Sequence, residues 1–405
     1  MKMLGFPQYA LGVCASAALL AGCGGSLPAA GTPGAGGVPA WKVQGLGHAA
    51  CPQVVGAPTC LVLIVDKGVN PACVGSTCGI APKELQRRYN LPSFTKGKGQ
   101  VVALVDAFDD PTAEADLATY RTEFGLGVAK FKKYNEHGDQ SDYPENCATA
   151  SSGWCVEEAL DIEMVSASCP KCAIDLIESD GSISGMETAE TAAAKVGATI
   201  VSNSWVCYGS IDCGDPNFPK YFRTKGVQHL AASGDAGYAE IGAPGALESV
   251  VSVGGTQIGG SGSNYTEVPW GGSGGGCATG VTKPLWQRDP DCKYRTDNDI
   301  SAQAGLSPGV AEYSSQEGGW FGVGGTSVAS PLVAGVYGLA GNAKTQDAGK
   351  ELWTLTKSQL KKDIHFIADG SGSGGCGNYL CGDGKYRVYY SGPTGWGTPN
   401  GIGAF

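Results

Sequence analysis

From Gly324 to Pro331 the chain reads Gly-Gly-Thr-Ser-Val-Ala-Ser-Pro, followed at once by the apolar run Leu332–Ala340. A turn of small residues that delivers Ser327 to a helix start leaves its hydroxyl free to act as a nucleophile. The N–H groups of that helix start face outward and can receive a developing oxyanion, as acyl transfer requires. The same residues also suit a Ser/Thr N-cap with Pro331 in the first turn of an ordinary helix. A serine nucleophile needs a base. In residues 156–167, which have helical spacing, Glu157 and Asp161 stand four apart and therefore share a face. Two adjacent carboxyls disfavour double ionisation, so the pair shares a proton and one member stays basic in acid. Trp154, Leu160, Ile162, Met164 and Val165 around them predict partial burial.

A histidine base is the rival. The four histidines are His48, His137, His229 and His365. His137 follows Asp106 at a subtilisin-like interval, but Asp139–Pro144 after it is a polar run that reads as a surface loop. Gly271-Gly272-Ser273-Gly274-Gly275 formally matches G-x-S-x-G, yet it lies in a glycine-rich stretch with no strand-turn-helix context, so it is set aside.

Short apolar runs alternate with helical ones from Gln100 onward. Val101–Val105, Ala173–Ile177, Thr199–Ser204, Val227–Ala232 and Val250–Val253 are of buried-strand type. Thr112–Phe124, Val156–Ala167 and Ile183–Val196 have helical spacing. This alternation predicts an α/β domain with a mostly parallel central sheet covered on both faces. Functional groups then collect beyond the carboxyl ends of the strands. Gly259–Gly280 and Gly370–Gly377 read as loops.

The 405 residues are 42% hydrophobic and 16% charged, which excludes wholesale disorder. A net charge of −10 without a basic stripe makes nucleic acid an unexpected partner. Residues 1–22 read as a lipoprotein-type signal peptide, ending Leu20-Ala21-Gly22 before Cys23, where the lipobox pattern implies acylation. Residues 23–50 read as a flexible tether and 51–82 as an irregular, cysteine-pinned segment; 83–405 form the main domain. The protein is thus expected to be secreted, monomeric and in contact with a membrane only through a lipid anchor at Cys23. Of 16 cysteines, setting aside Cys14 and Cys23 leaves fourteen in close neighbours: 51/60, 73/78, 147/155, 169/172, 207/213, 277/292 and 376/381. An even count behind a secretory signal predicts disulfides, and sequential pairing is the economical scheme. Cys169-Pro170-Lys171-Cys172 then reads as a turn disulfide, since no second CxxC is present for zinc.

Trp154–Asp161, Ala232–Gly237 (Ala-Ser-Gly-Asp-Ala-Gly) and Gly325–Pro331 together resemble three catalytic motifs of the sedolisins, the serine-carboxyl peptidases, in that family's order. Leu104–Pro111, Val201–Trp205, Val250–Thr256 and Gly392–Gly401 are also similar to sedolisin segments, and the resemblance runs from about Leu85 to Phe405. It implies a subtilisin-like three-layer sandwich and a serine-type endopeptidase acting on proteins and peptides through an acyl-enzyme. It makes Ser327 the nucleophile, Glu157 the base, Asp161 the residue that orients Glu157, and Asp235 the oxyanion partner. Asp106 and Trp205 would stand behind these carboxyls, or else pack as strand-end core. Asp235 can donate only when protonated and Glu157 must be ionised to take the serine proton, so an acidic optimum follows.

Three departures accompany the resemblance. About sixty residues separate Cys23 from the core where sedolisins carry a long folded pro-region, so this reads as a short bacterial form without autoactivation by removal of such a domain. Val206 follows Trp205 where the family generally has glycine. The family's calcium site would use Asp363 and the Ile364 carbonyl, but Ser391 occupies the position of the second aspartate, so calcium binding is expected to be weak or absent. Other readings are a neutral subtilisin-type protease using His137, an inactive fold member acting as a surface binding protein, and a structural lipoprotein.

Overall fold

The computed structural model describes residues 46–405, apart from 55, 67–72, 75–76, 261–264, 290, 344–347, 368–375, 377–379 and 381–389. The signal, Cys23 and most of the tether therefore lie outside the described residues. All described residues belong to one unit, Val38–Phe405.

An eight-stranded sheet forms the centre. Across it run Thr266–Pro269, Val250–Gly259, Gln228–Ala232, Ile200–Asn203, Val101–Ala107, Ala173–Ser179 and Lys130–Asn135, with Ile300–Gln303 also on Val250–Gly259. Every pairing is parallel except that of Thr266–Pro269. The five expected strands are all present, because continuous apolar runs suit a sheet buried on both faces. Lys130–Asn135 was not foreseen: its polar alternation is that of an edge strand, exposed on one side.

Helix Ser152–Ser168 packs on helix Thr326–Ala340, and both lie against the sheet. Helix Ile183–Lys195 packs on Val101–Ala107 and Ala173–Ser179, and its N-cap Ser182 accepts from the Gly185 N–H. Helix Ser152–Ser168 is enclosed on every side, since Ala113–Glu123 and Val310–Ser314 also pack on it. Partial burial was expected for its carboxyl pair; Glu157, Glu158, Asp161 and Glu163 are in fact all fully buried.

Short strands occur in two segments read as irregular or as loops. Among the described residues of 51–82, Thr59–Cys60 and Leu63–Val65 are strands and Cys73–Val74 pairs with Thr77–Cys78, while the tether's last residues, Gly47–Ala49, pair with Leu63–Val65. The glycine-rich stretch 259–280 also carries strands, Thr266–Pro269 and Cys277–Ala278. The disulfides Cys51–Cys60, Cys147–Cys155, Cys169–Cys172, Cys207–Cys213 and Cys277–Cys292 follow the sequential scheme. Cys78 and Cys376 are also disulfide-bonded, while Cys381 lies outside the described residues.

Candidate active site

Ser327 is the second residue of helix Thr326–Ala340, entered through Gly325 at φ +103°. A Cβ on Gly325 would lie 2.0 Å from the Leu61 carbonyl oxygen and 2.6 Å from Oδ2 of Asp235. Glycine alone tolerates both that backbone angle and that approach. Pro331 sits inside the helix rather than in its first turn, so it returns no N–H to the carbonyl of Ser327. The first N–H groups of such a helix have no partner within it.

The Ser327 hydroxyl donates to Oε2 of Glu157 at 2.8 Å and lies 3.3 Å from the Ser204 carbonyl. The same Oε2 accepts the Leu61 N–H at 2.8 Å. Asp161, one helical turn from Glu157, accepts the Ser204 hydroxyl at 2.7 Å. Asp235 accepts the Thr326 N–H at 2.8 Å and the Thr326 hydroxyl at 2.7 Å through Oδ1, which ties its loop to the start of the serine helix. Its Oδ2, the atom beside Gly325, has no hydrogen-bond partner.

All these carboxyls are buried, and burial dominates their chemistry. It pushes Asp235 up to about 7 against the two bonds from Thr326. It pushes Asp106, at the end of strand Val101–Ala107, up to about 8, and neither Asp106 oxygen has a hydrogen-bond partner. Burial, then the neighbouring Asp106, raise Glu157 well above the ordinary carboxyl range; bonds from Ser327 and Leu61 oppose them. Asp161 is raised by burial, Asp106 and Glu157 in that order. Of the four groups, Glu157 bonds directly to the Ser327 hydroxyl, and burial is the first cause of the upward shift in each.

Asp106 is buried near enough to Glu157 and Asp161 for its charge to act on both. The Trp205 indole N–H donates to the Val105 carbonyl at 3.1 Å, and its ring packs with Phe218 and Phe222. Packing is the reading its contacts match. His137 lies on a surface turn with its side chain 65% exposed, beside Glu136, whereas Ser327 is fully buried. His48 pairs with Asp66, and His229 faces Glu190 in the core.

Sequence reasoning missed Ser204, which touches both Ser327 and Asp161, and missed Leu61 altogether. Ser204 stands directly before Trp205 in a familial segment, so it could have been found. Leu61 opens the apolar run Leu61–Val65, a strand signal that the neighbouring cysteines obscured.

At the expected calcium position Asp363 is buried, with Lys362 at 3.3 Å and Gly403 against its carboxylate. Ile364 pairs with Pro399, and the buried Ser391 hydroxyl has no hydrogen-bond partner. No group of three or more His, Cys, Asp or Glu able to hold a metal occurs among the described residues. Asp369 and Asp383, the other aspartates between Asp363 and Ser391 in sequence, lie outside the described residues.

A parallel α/β sandwich with a serine at a helix start and a carboxyl on its hydroxyl defines a class, and the subtilase family model matches residues 97–373, most of the chain. The chain belongs to the subtilase family. Within it the similarity is to sedolisins. The chain is 25% identical to tripeptidyl-peptidase sed4 of Aspergillus fumigatus, over 82% of this chain and 66% of that protein, just under two thirds of its length. The fold matches Pseudomonas sedolisin, a serine-carboxyl proteinase solved with pseudo-iodotyrostatin, with a TM-score of 0.67 and 21% identity over 80% of this chain and 96% of that one. A lanthipeptide protease matches with a TM-score of 0.52 and 15% identity, over 80% and 92% of the two chains.

Proposed function

We propose that this protein is an acid-acting serine-carboxyl endopeptidase that cleaves proteins and peptides. Ser327 attacks the substrate carbonyl and passes its proton to Glu157. Asp161 orients Glu157, held through Ser204. The Asp235 carboxyl and the Ser327 N–H receive the oxyanion. The acyl-enzyme forms when Glu157 hands its proton to the leaving amine, and water then releases the acyl product. The observation that carries this reading is the 2.8 Å bond from Ser327 Oγ to Glu157 Oε2 in a site where no histidine reaches the serine.

Digestion of a peptide library at about pH 3, 5 and 7 by wild type and Ser327→Ala tests it. Cleavage that survives Ser327→Ala would refute it. The name of the fungal relative describes removal of tripeptides. A long peptide blocked at its amino end separates the two modes, since only an endopeptidase cleaves it. The leader and Cys23 support secretion with a lipid anchor; labelling with a radioactive fatty acid, lost in Cys23→Ser, tests that step.

A further inference from the structure

A segment of the chain outside the family match lies across the serine. Strand Thr59–Cys60 pairs antiparallel with Trp205–Tyr208, with Cys60 opposite Trp205 and Thr59 opposite Val206. The Leu61 N–H donates to Glu157 Oε2 at 2.8 Å and lies 3.2 Å from the Ser204 carbonyl. The Leu61 carbonyl oxygen crowds Gly325, where Oδ2 of Asp235 also stands. Beyond Val62, strand Leu63–Val65 pairs antiparallel with Gly319–Gly324, whose last residue precedes the Gly325 turn. The Leu61 side chain is buried with Val206 and Ala232, and Tyr208 packs on that group.

Each of these is a contact that a bound peptide makes with a peptidase. Added backbone pairs with an exposed strand for affinity, and a side chain enters a pocket for selectivity. We propose that residues 59–65 occupy the place of a substrate, with Leu61 seated as the residue whose carbonyl Ser327 attacks, so that the protein selects a medium-sized aliphatic side chain there and is latent while its own strand stays. This rests on the peptidase reading and adds a substrate class and a control to it.

The pocket supports the selectivity. Val206 stands where sedolisins generally carry glycine, and its side chain packs with Leu61 and so narrows the space around it. The latency follows from occupancy. Thr59, Leu61, Val62 and Leu63 are all buried, Ser327 is fully buried, and the Leu61 N–H holds the oxygen of Glu157 that must take the serine proton. Cys51–Cys60 and the pairing of Gly47–Ala49 with Leu63–Val65 hold the segment in place.

Leu61→Asp in the full chain tests both parts. An aspartate cannot stay in an apolar pocket beside these carboxyls, so the strand should leave. Leu61→Gly removes only the anchor and serves if the first variant folds poorly. The probes are a fluorescein-labelled peptide of residues 57–66, followed by anisotropy, and the peptide library at about pH 5. The expected results are peptide binding to the variant but not to wild type, and hydrolysis faster by about tenfold or more. Cleavage should follow Leu, Met or Ile, and Val206→Gly should extend it to Phe and Tyr. Equal rates in wild type and both variants, with no peptide binding, would overturn the occupancy. Cleavage without preference for aliphatic residues would overturn the pocket. Peptide binding to Leu61→Asp with no hydrolysis by any form would leave the strand's position supported and sink the peptidase reading instead.

Discussion

Leu61 and Ser327, far apart in sequence, hydrogen-bond to the same atom, Oε2 of Glu157, each at 2.8 Å. A backbone N–H from the N-terminal segment and the hydroxyl at the helix start thus compete for one carboxyl oxygen. Whatever raises the basicity of that oxygen promotes deprotonation of the serine, and the Leu61 bond lowers it.

Ser327→Ala and Glu157→Gln should each lower the catalytic rate by several orders of magnitude. Asp235→Ala removes one oxyanion donor and should cost on the order of 10²–10³ in kcat. Ser204→Ala, which frees Asp161, should have a smaller effect. Rates on a chromogenic peptide in the Leu61→Asp background decide all four, and an active Ser327→Ala would end the assignment.

Activity should be bell-shaped in pH, with its maximum on the acid side of neutrality. Asp235 can donate only while protonated, and burial places its pKa at about 7, so the rate falls as pH rises through that value. The acid limb belongs to Glu157, which must be ionised. Burial is the largest influence holding Glu157 protonated, so hydration of the cleft when residues 59–65 leave should shift that limb to lower pH. Asp235→Asn keeps a donor at every pH and should lose the alkaline limb. A maximum near pH 8 abolished by His137→Ala would favour the histidine mechanism.

Stability should decline as pH rises. Asp235, Asp106 and Glu178 titrate at about 7, 8 and 8 in the folded protein, all raised chiefly by burial. In the unfolded chain the same groups lose their protons near pH 4. Between these values the native state binds more protons, so their contribution is complete below about pH 4 and is lost as pH passes through 7 to 8. Thermal melts across pH 4–9 should show Tm falling by several degrees or more toward the alkaline end. A Tm that rises over that range contradicts the burial of these carboxyls.

Intact mass after alkylation without reduction should show no alkylated cysteine among the fourteen outside Cys14 and Cys23. Replacing Cys51 and Cys60 with serine should loosen the covering strand and raise peptidase activity, while Tm falls by an amount set by the small loop that this bond closes. Unchanged activity in that variant would show that the staple does not hold the strand.

Chelation with EGTA should change Tm little, since Ser391 stands where a second carboxylate would be needed and Asp363 already faces Lys362. A large drop reversed by calcium would show that residues beyond the described ones complete a site.

Local patterns determined a great deal. The unbroken apolar run at 101–105 had the length and β-branched content of a strand buried on both faces, and Gly-Thr-Ser before Leu332–Ala340 announced a serine at a helix start. The four-residue interval of Glu157 and Asp161 put both on one face, because helical geometry is periodic over so short a distance. What lies opposite each group is a different matter. Ser204 reaches both Asp161 and Ser327 only because strand Ile200–Asn203 ends beside the helix Thr326–Ala340, and no local period encodes that meeting. The extent of burial, which raises every carboxyl of the site, is a property of packed layers rather than of neighbours in sequence. Leu61 is the clearest case: its apolar run specified a strand, but which strands it joins depends on long-range backbone pairing. Only the folded chain decided that this strand lies over the serine.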